Sequence, residues 1–378
     1  MTILLLTHSY PDRENSWRGS FIKDQATALS INNTVIVVYF KIDYDHFAPF
    51  SGSEHLKTKS GNLTEYSVII KRSFPVINQI NYLHKTYNFI KNEIVRYYKP
   101  DLIHSHLSYP AGFLGTIIQN RLKIPNIITE HSRITNYFRS GMHKRCVIHA
   151  LKTTASVIAV SDSLKIEITS LCDRSVTVIN NIVDTEKFKL IMQKPGQILN
   201  IGFLGGLGNN NKGLDLLLKA ASLLQKKDYI LHIGGNGILL EAYRAMSKEY
   251  KIENFCKYYG EIPRDKIVDF YSMLNLFVLP SRYETFGVVL IEAMSCGIPV
   301  IATKCGGPQE IVTMETGVLI EKNNPEILAK AIKSMSGKLA EYDNESIRNY
   351  AKEKFGESAF IEKITRLYLE TLNKYRIN

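Results

Sequence analysis

The sequence predicts an α/β protein made of two doubly wound domains, and three observations predict it. Short apolar strands alternate with helical patterns along the chain, an order that produces a mostly parallel sheet. A strand, a glycine-bearing loop and a helix open each half, at residues 3–30 and again at residues 198–225. Doubly wound domains begin this way, with ligands expected beyond the carboxyl end of the strand. The chain is also 378 residues long, long for one core and comfortable for two.

Composition narrows the class. Hydrophobic residues make up 45% and charged residues 22%, the shares of an ordinary globular protein. No apolar run reaches the ~18–20 residues that a membrane-spanning helix needs. The opening MTILLLTHSYP lacks a basic leader and reads as a first buried strand rather than a signal peptide. Five cysteines, Cys146, Cys172, Cys256, Cys296 and Cys305, are odd in number and form no C-x-x-C pair. They suggest neither a disulfide framework nor a zinc site, and the expected location is cytoplasmic. The net charge of +11 is uneven: residues 1–190 hold 23 Lys/Arg against 15 Asp/Glu, a balance of +8. A basic first half points to an anionic partner: a membrane, a nucleic acid or a phosphorylated substrate.

The first half opens with a strand at residues 3–7, ending in His8-Ser9-Tyr10-Pro11. A polar loop leads to Gly19, which precedes a helix over residues 21–30. A glycine there either lets a diphosphate approach the backbone or only ends the loop. Further strands are expected at 35–40, 67–71, 102–106, 126–129 and 157–160, with a helix at 81–98 stopped by Pro100. His104 and His106 share a face near the end of their strand. No acid or cysteine stands at ligand spacing, so they read as cleft-lining or structural. His131 closes the strand of IITEHS at a carboxyl edge, where a histidine serves structure or chemistry.

From His131 to Ser161 there are five basic residues (Arg133, Arg139, Lys144, Arg145, Lys152) and no acid. Tyr137, Phe138, Met142, Val147, Ile148 and Leu151 interleave at helical spacing. The pattern fits a helix lying on anionic lipid, each charge worth ~1 kcal/mol. It fits equally a solvated basic face over a packed core. Lys-Pro-Gly within residues 193–196 marks the linker.

The second half restarts with a strand at 198–204, the loop GGLGNNNKG and a helix at 214–225. Such a loop can cradle phosphate, with Lys212 as a point charge, although no Walker A frame fits. Strands follow at 230–233 and 276–280, with YYGEIP at 258–263 as a strand and turn. After Val312 the chain reads as helical, at 325–339 and 346–374.

Residues 281–310 carry the densest signal. A polar loop turns at Gly287, runs helically through Val288–Ser295, breaks at residues 297–299 and resumes as a strand at 300–302. Glu284 lies before the helix and Glu292 more than a turn inside it. Between them, the amides of Phe286, Gly287 and Val288 are first-turn donors with no intrahelical partner, the arrangement that binds phosphate. A carboxylate on either side of a phosphate site suits a ligand with hydroxyls at both ends. A sugar nucleotide fits: sugar towards Glu284, diphosphate at the helix start, ribose towards Glu292. Two solvated surface glutamates are the plainer alternative.

The string E-x-F-G-x-x-x-x-E-A-x-x-x-G-x-P-V-I-A-x-x-x-G-G at residues 284–307 closely resembles the donor-site signature of retaining family-4 glycosyltransferases with the GT-B fold. The resemblance covers nearly the whole chain, more loosely at 1–30, 127–132 and 198–213. It implies two Rossmann-like domains facing across a cleft. The acceptor domain would span residues 1–192 and the donor domain 197–355, with a C-terminal helix at 356–378 crossing back to the first. By this resemblance Gly19 faces the donor phosphates, His131 lies beside the transferred sugar, and Ile262 contacts a uracil-type base. The VINNIVDTEKF segment resembles the family's approach to the domain crossing, with Asn180 for proline and Ile182 for glycine. Lys212 and Gly213 match the phosphate loop, but Gly206 stands where the family has arginine.

The resemblance also implies transfer of a hexose-type sugar with retention and without a metal or other cofactor. The charge of the departing diphosphate would be met by Lys212 and the first-turn amides, the largest usual catalytic term. No carboxylate is placed as a covalent nucleophile, so front-face attack is the expected route, with His131 and Glu284 orienting sugar hydroxyls. The expected catalytic residues are His131, Lys212 and Glu284. The expected donor contacts are Gly19, Gly206, Lys212, Ile262, Glu284, Thr285, Phe286, Gly287, Val288 and Glu292. Arg139, Lys144, Arg145 and Lys152 are expected to face the acceptor or an anionic membrane surface. That makes a lipid-linked saccharide at the inner membrane face the expected acceptor, in cell-surface polysaccharide synthesis. Rivals are a non-catalytic partner subunit of the same fold, which the missing arginine suggests, and a sugar-nucleotide epimerase. Nucleic acid binding is not expected, for want of any reading motif.

Overall fold

The computed structural model describes residues 1–12, 15–48, 53–191, 198–224 and 229–377, without the side chains of 75–79 and 377. Its contacts divide the chain into two compact units, one of residues 1–180 with 360–378 and the other of residues 181–359. The linker expected at 193–196 lies outside the described residues.

Unit 1 is built on β1 (Thr2–Thr7), β2 (Thr34–Phe47), β3 (Ser53–Ser60), β4 (Leu63–Arg72), β5 (Leu102–His106), β6 (Asn126–Glu130), β7 (Ser156–Ala159) and β8 (Thr177–Val178). They lie in the order β3-β4-β2-β1-β5-β6-β7-β8. Every pair is parallel except β3 with β4. The central strands are buried end to end, β1 as Ile3–Leu6 and β2 as Val35–Phe40, which is why they read as continuous apolar runs. Leu4, Leu6, Ile36, Val38, Ile103, Leu114 and Ile118 join one core beneath the helices.

Unit 2 holds β9 (Leu199–Leu204), β10 (Tyr229–Gly234), β11 (Cys256–Gly260), β12 (Leu276–Leu279), β13 (Val300–Thr303) and β14 (Gly317–Ile320). Their order is β11-β10-β9-β12-β13-β14, parallel throughout. The chain runs outward from β9 on one side, then returns to place β12 on the other. That reversal is a topological switch point, outside whose carboxyl ends doubly wound domains bind ligands. In unit 1 the same reversal separates β1 from β5.

Three expectations are corrected. β3 and β14 were not expected as strands. β3 is exposed along nearly its whole length and so carries no apolar alternation, while β14 has only four residues. The helix expected at 81–98 begins at Pro75, whose fixed φ suits a first helical position, and widens to a π-helical turn at Ile90–Val95. The run at 346–374 is two helices, Asn344–Phe355 and Glu357–Ile377. Gly356 parts them in an extended conformation, ψ 169°. The VINNIVDTEKF segment divides at Asn180. Beyond it, the Val183 amide bonds the Phe355 carbonyl at 2.9 Å and Phe188 is buried, both within unit 2.

Candidate functional site

In unit 2 the loops after β9 and β12 meet at the switch point. The first makes a 3-10 turn at Asn210–Lys212 and then takes a left-handed turn at Gly213, φ 73°. A Cβ there would stand 2.0 Å from the Pro280 carbonyl oxygen, so only glycine lets the loops approach this closely. Arg282 then ties them. Its guanidinium grips Asp215 through two bonds of 2.9 and 2.6 Å and donates to the Asn210 carbonyl at 2.5 Å. The Asn211 amide group donates to the Tyr283 carbonyl at 2.8 Å, and the Arg282 N–H to the Asn211 carbonyl at 2.7 Å. A bidentate fork fixes direction as well as distance. The outcome is an ion pair between Lys212 Nζ and Glu284 Oε2 at 2.5 Å.

Glu284 is held on both sides by backbone. Its N–H bonds the Cys305 carbonyl at 3.2 Å and its carbonyl accepts from Gly307 N–H at 2.8 Å. Gly287, φ 109°, then opens the helix Val288–Ser295, so the amides of Phe286, Gly287 and Val288 sit at the start of the helix beside Glu284. Phe286 is buried and meets the Phe355 ring edge-on at 5.7 Å. Thr285 is half-buried.

Glu292 is buried in that helix, 3% exposed. Its carboxylate accepts from Arg264 Nη1 at 2.6 Å and from the Tyr271 hydroxyl at 2.9 Å. Arg264 in turn lies over the Phe188 ring at 5.3 Å. Burial, and then the Glu292 charge, push the Tyr271 phenol far above its usual range, so it stays a hydrogen-bond donor. Ile262, two residues before Arg264, is half-buried. Its Cδ1 would lie 2.6 Å from a Cβ on Gly234, so its side chain covers the carboxyl end of β10. Gly206 is exposed, with open space where a Cβ would be.

The carboxyl edge of unit 1 is made of rings. His131, 6% exposed, shares a hydrogen bond from Nε2 to His106 Nδ1 at 2.8 Å. The two rings stack with 15° between planes, and Phe21 lies 4.7 Å from His131. His104 bonds the Tyr368 hydroxyl at 2.6 Å and the Thr129 hydroxyl at 2.7 Å. Burial pushes His104 down to about 3. His106 is lowered well below its ordinary value by burial, then by its two neighbouring histidines. Both are fully buried, so of the two readings of this pair the structural one holds. Glu130 anchors the turn beneath His131. Fully buried, it accepts from the amides of His131, Ser132 and Ser108 at 2.8 to 2.9 Å, and from the Ser108 and Tyr137 hydroxyls. Burial raises this carboxyl and the hydrogen bonds oppose the rise.

Gly19 is left-handed, φ 65°, and a Cβ on it would stand 2.3 Å from the Ser9 carbonyl. The chain's own backbone therefore requires glycine there. The basic stretch forms the helix Gly141–Thr153, capped by Ser140. Val147 and Leu151 enter the core, while Arg139, Lys144, Arg145 and Lys152 are exposed and Met142 is 72% exposed. Among the described residues no cluster of three or more His, Cys, Asp or Glu side chains could hold a metal ion, and no helix is long and apolar enough to cross a membrane.

The structure thus brings Lys212, Glu284, Thr285, Phe286, Gly287 and Val288 together at one switch point, with Glu292 further along the same helix. His131 and Gly19 belong to unit 1. Sequence reasoning missed Arg264, Tyr271, Arg282 and Asp215. Arg264, Tyr271 and Asp215 lie outside the recognised stretches and Arg282 was given no role within its own, and only the loop geometry pairs them. The one available signal was arithmetic: buried carboxylates need cations, and Arg264 stands near the recognised stretches and Arg282 within that of 281–310.

Two mostly parallel, doubly wound sheets in one chain, each reversing its strand order at a switch point, have the GT-B architecture. Residues 184–354 match the glycosyl transferases group 1 family and residues 34–187 the glycosyltransferase family 4. An uncharacterized glycosyltransferase of Methanocaldococcus jannaschii is 32% identical over 281 residues, 71% of this chain and 75% of that one. A putative teichuronic acid biosynthesis glycosyltransferase of Bacillus subtilis is 25% identical over 88% of each chain. Among solved structures, sucrose-phosphate synthase of Thermosynechococcus elongatus superposes with a TM-score of 0.80 at 19% identity, covering 99% of both chains. An Anabaena protein solved with UDP and glucose gives 0.75 at 18% identity, over 98% of this chain and all of that one. The chain belongs to the family-4 glycosyltransferases and carries their GT-B fold.

Proposed function

We propose that this glycosyltransferase moves a hexose-type sugar from a nucleoside diphosphate sugar, a UDP-sugar in the first instance, to a saccharide acceptor with retention of configuration. The observation that carries the reading is the Lys212–Glu284 pair set beside the amides that open Val288–Ser295. A cation and free amides meet the charge that develops on the departing diphosphate. Glu284 receives sugar hydroxyls, and Glu292, held in place by Arg264 and Tyr271, receives those of the ribose. His131 orients the sugar from the first domain. The leaving phosphate takes the acceptor proton in a front-face attack. No step is assigned to a metal, because Lys212 and the amides supply the positive charge.

Support for the donor includes the UDP and glucose bound in the Anabaena protein of the same fold. Screening nucleotide sugars by thermal shift tests it, since a ligand at 100 times its Kd adds ~2.7 kcal/mol. Stabilisation by UDP-sugars, followed by release of UDP when acceptor is supplied, is the expected result. A chain that binds them yet never releases UDP would be the non-catalytic partner. One that alters the sugar without acceptor would be the epimerase.

For the acceptor we propose a lipid-linked saccharide at an anionic membrane face, in cell-surface polysaccharide synthesis. The exposed Arg139, Lys144, Arg145 and Lys152 support it, with Met142 exposed on the same helix as the last three. Vesicles containing anionic lipid should sediment the protein at low salt. Reversing two of these charges should weaken that by roughly tenfold or more, at ~1 kcal/mol per residue; salt-insensitive or absent binding would argue for a soluble acceptor.

A further inference from the structure

The two side chains that the proposed reaction asks most of are engaged with each other. Lys212 gives its ammonium to Glu284 at 2.5 Å, with side-chain exposures of 30% and 10%. The other cations of this edge are engaged as well, Arg282 with Asp215 and Arg264 with Glu292. A diphosphate that draws Lys212 to itself therefore takes the cation away from Glu284. Backbone bonds to Cys305 and Gly307 hold the residue in place, and its side chain is only 10% exposed. A largely enclosed carboxylate stripped of its partner is costly.

We infer that the Lys212–Glu284 pair is a latch opened by exchange and closed by product. The inference rests on the proposed roles of Lys212 at phosphate and Glu284 at sugar. An intact sugar nucleotide brings phosphate for Lys212 and hydroxyls for Glu284, so both partners are replaced at once. The nucleoside diphosphate left after transfer satisfies Lys212 alone and leaves Glu284 without a donor. The ion pair then competes for Lys212, weakens the hold on the product and hastens its release. The protein thus favours donor over spent nucleotide through a contact that touches neither the base nor the ribose.

Titration calorimetry of UDP, without acceptor, against the full chain tests this. Glu284→Gln removes the competing charge and should bind UDP roughly two- to fivefold more tightly than the parent, the span expected of an ion pair at this exposure. Glu284→Asp keeps the charge but shortens the reach, and should move in the same direction. Lys212→Ala should weaken UDP binding. If Lys212→Ala weakens UDP while both Glu284 variants bind it no better than the parent, the latch is wrong and the phosphate role stands. If Lys212→Ala leaves UDP affinity unchanged, the phosphate role itself is overturned, and the latch falls with it.

Discussion

The two carboxyl edges of this protein solve the same problem with opposite materials. The edge of unit 1 is built largely from rings: His104, His106, His131 and Phe21 stack or share hydrogen bonds. The edge of unit 2 is built from charges, each cation already matched to a carboxylate: Lys212 to Glu284, Arg282 to Asp215, Arg264 to Glu292. A ring network holds geometry, and burial keeps His104 and His106 neutral near pH 7. Matched ions keep charge available but must give up a partner before they take a ligand. On the proposed reading, the first edge supplies shape and the second the charge that meets the diphosphate.

The sharpest way to break that contrast is to delete charge from the second edge. Lys212→Ala and Glu284→Ala should each lower kcat by ~10²-fold or more, the usual result of losing one transition-state contact. Steady-state rates near those of the parent would show that the edge is structural. A smaller effect is expected one turn further along the helix. Glu292→Ala should raise the donor KM by about tenfold and leave kcat near its parent value, as for a hydrogen bond to a charged group made equally in ground and transition states. A fall in kcat with KM unchanged would move Glu292 into the chemistry.

Acid probes the first edge instead. His104 is held down to about 3, and His106 is also lowered, while the unfolded chain takes up these protons near 6.5. Unfolded chain therefore binds more protons below that value, and stability falls as pH drops from about 6.5 towards 3. The loss should be about 0.8 kcal/mol per histidine by pH 6.0. Hydrogen exchange read at each unit should show β5 and β6 loosening before β9 and β12, because unit 2 carries one such histidine, His232, held down to about 4 by burial, against the pair in unit 1. Equal loosening of both sheets would remove the distinction.

The fold was legible because its central strands are buried on both faces and so appear as unbroken apolar runs, Val35–Phe40 being the plainest. β3 was not legible, since an edge strand exposed along most of its length leaves no pattern. At the site, Lys212, Glu284 and the Gly287 turn stood out because glycine, charge and helix start fall within a few residues. Arg282 and Asp215 did not, being 67 residues apart and joined only when two loops meet. Tyr271 was hidden for a related reason: a buried tyrosine on an apolar face looks like core until its hydroxyl is found on Glu292. Gly19 carries the opposite lesson, because its backbone approach to Ser9 accounts for the glycine without any ligand.

The last helix has a consequence for how the chain is made. Residues 181–359 are complete before Tyr368 and Thr371 leave the ribosome, yet those two side chains bond His104 and Ser156 in the first unit. The domain translated first is therefore the one finished last. During synthesis its innermost histidine waits for its hydroxyl partner while the later-made sheet can already close. Clipping the carboxyl terminus should accordingly injure the amino-terminal half and spare its neighbour.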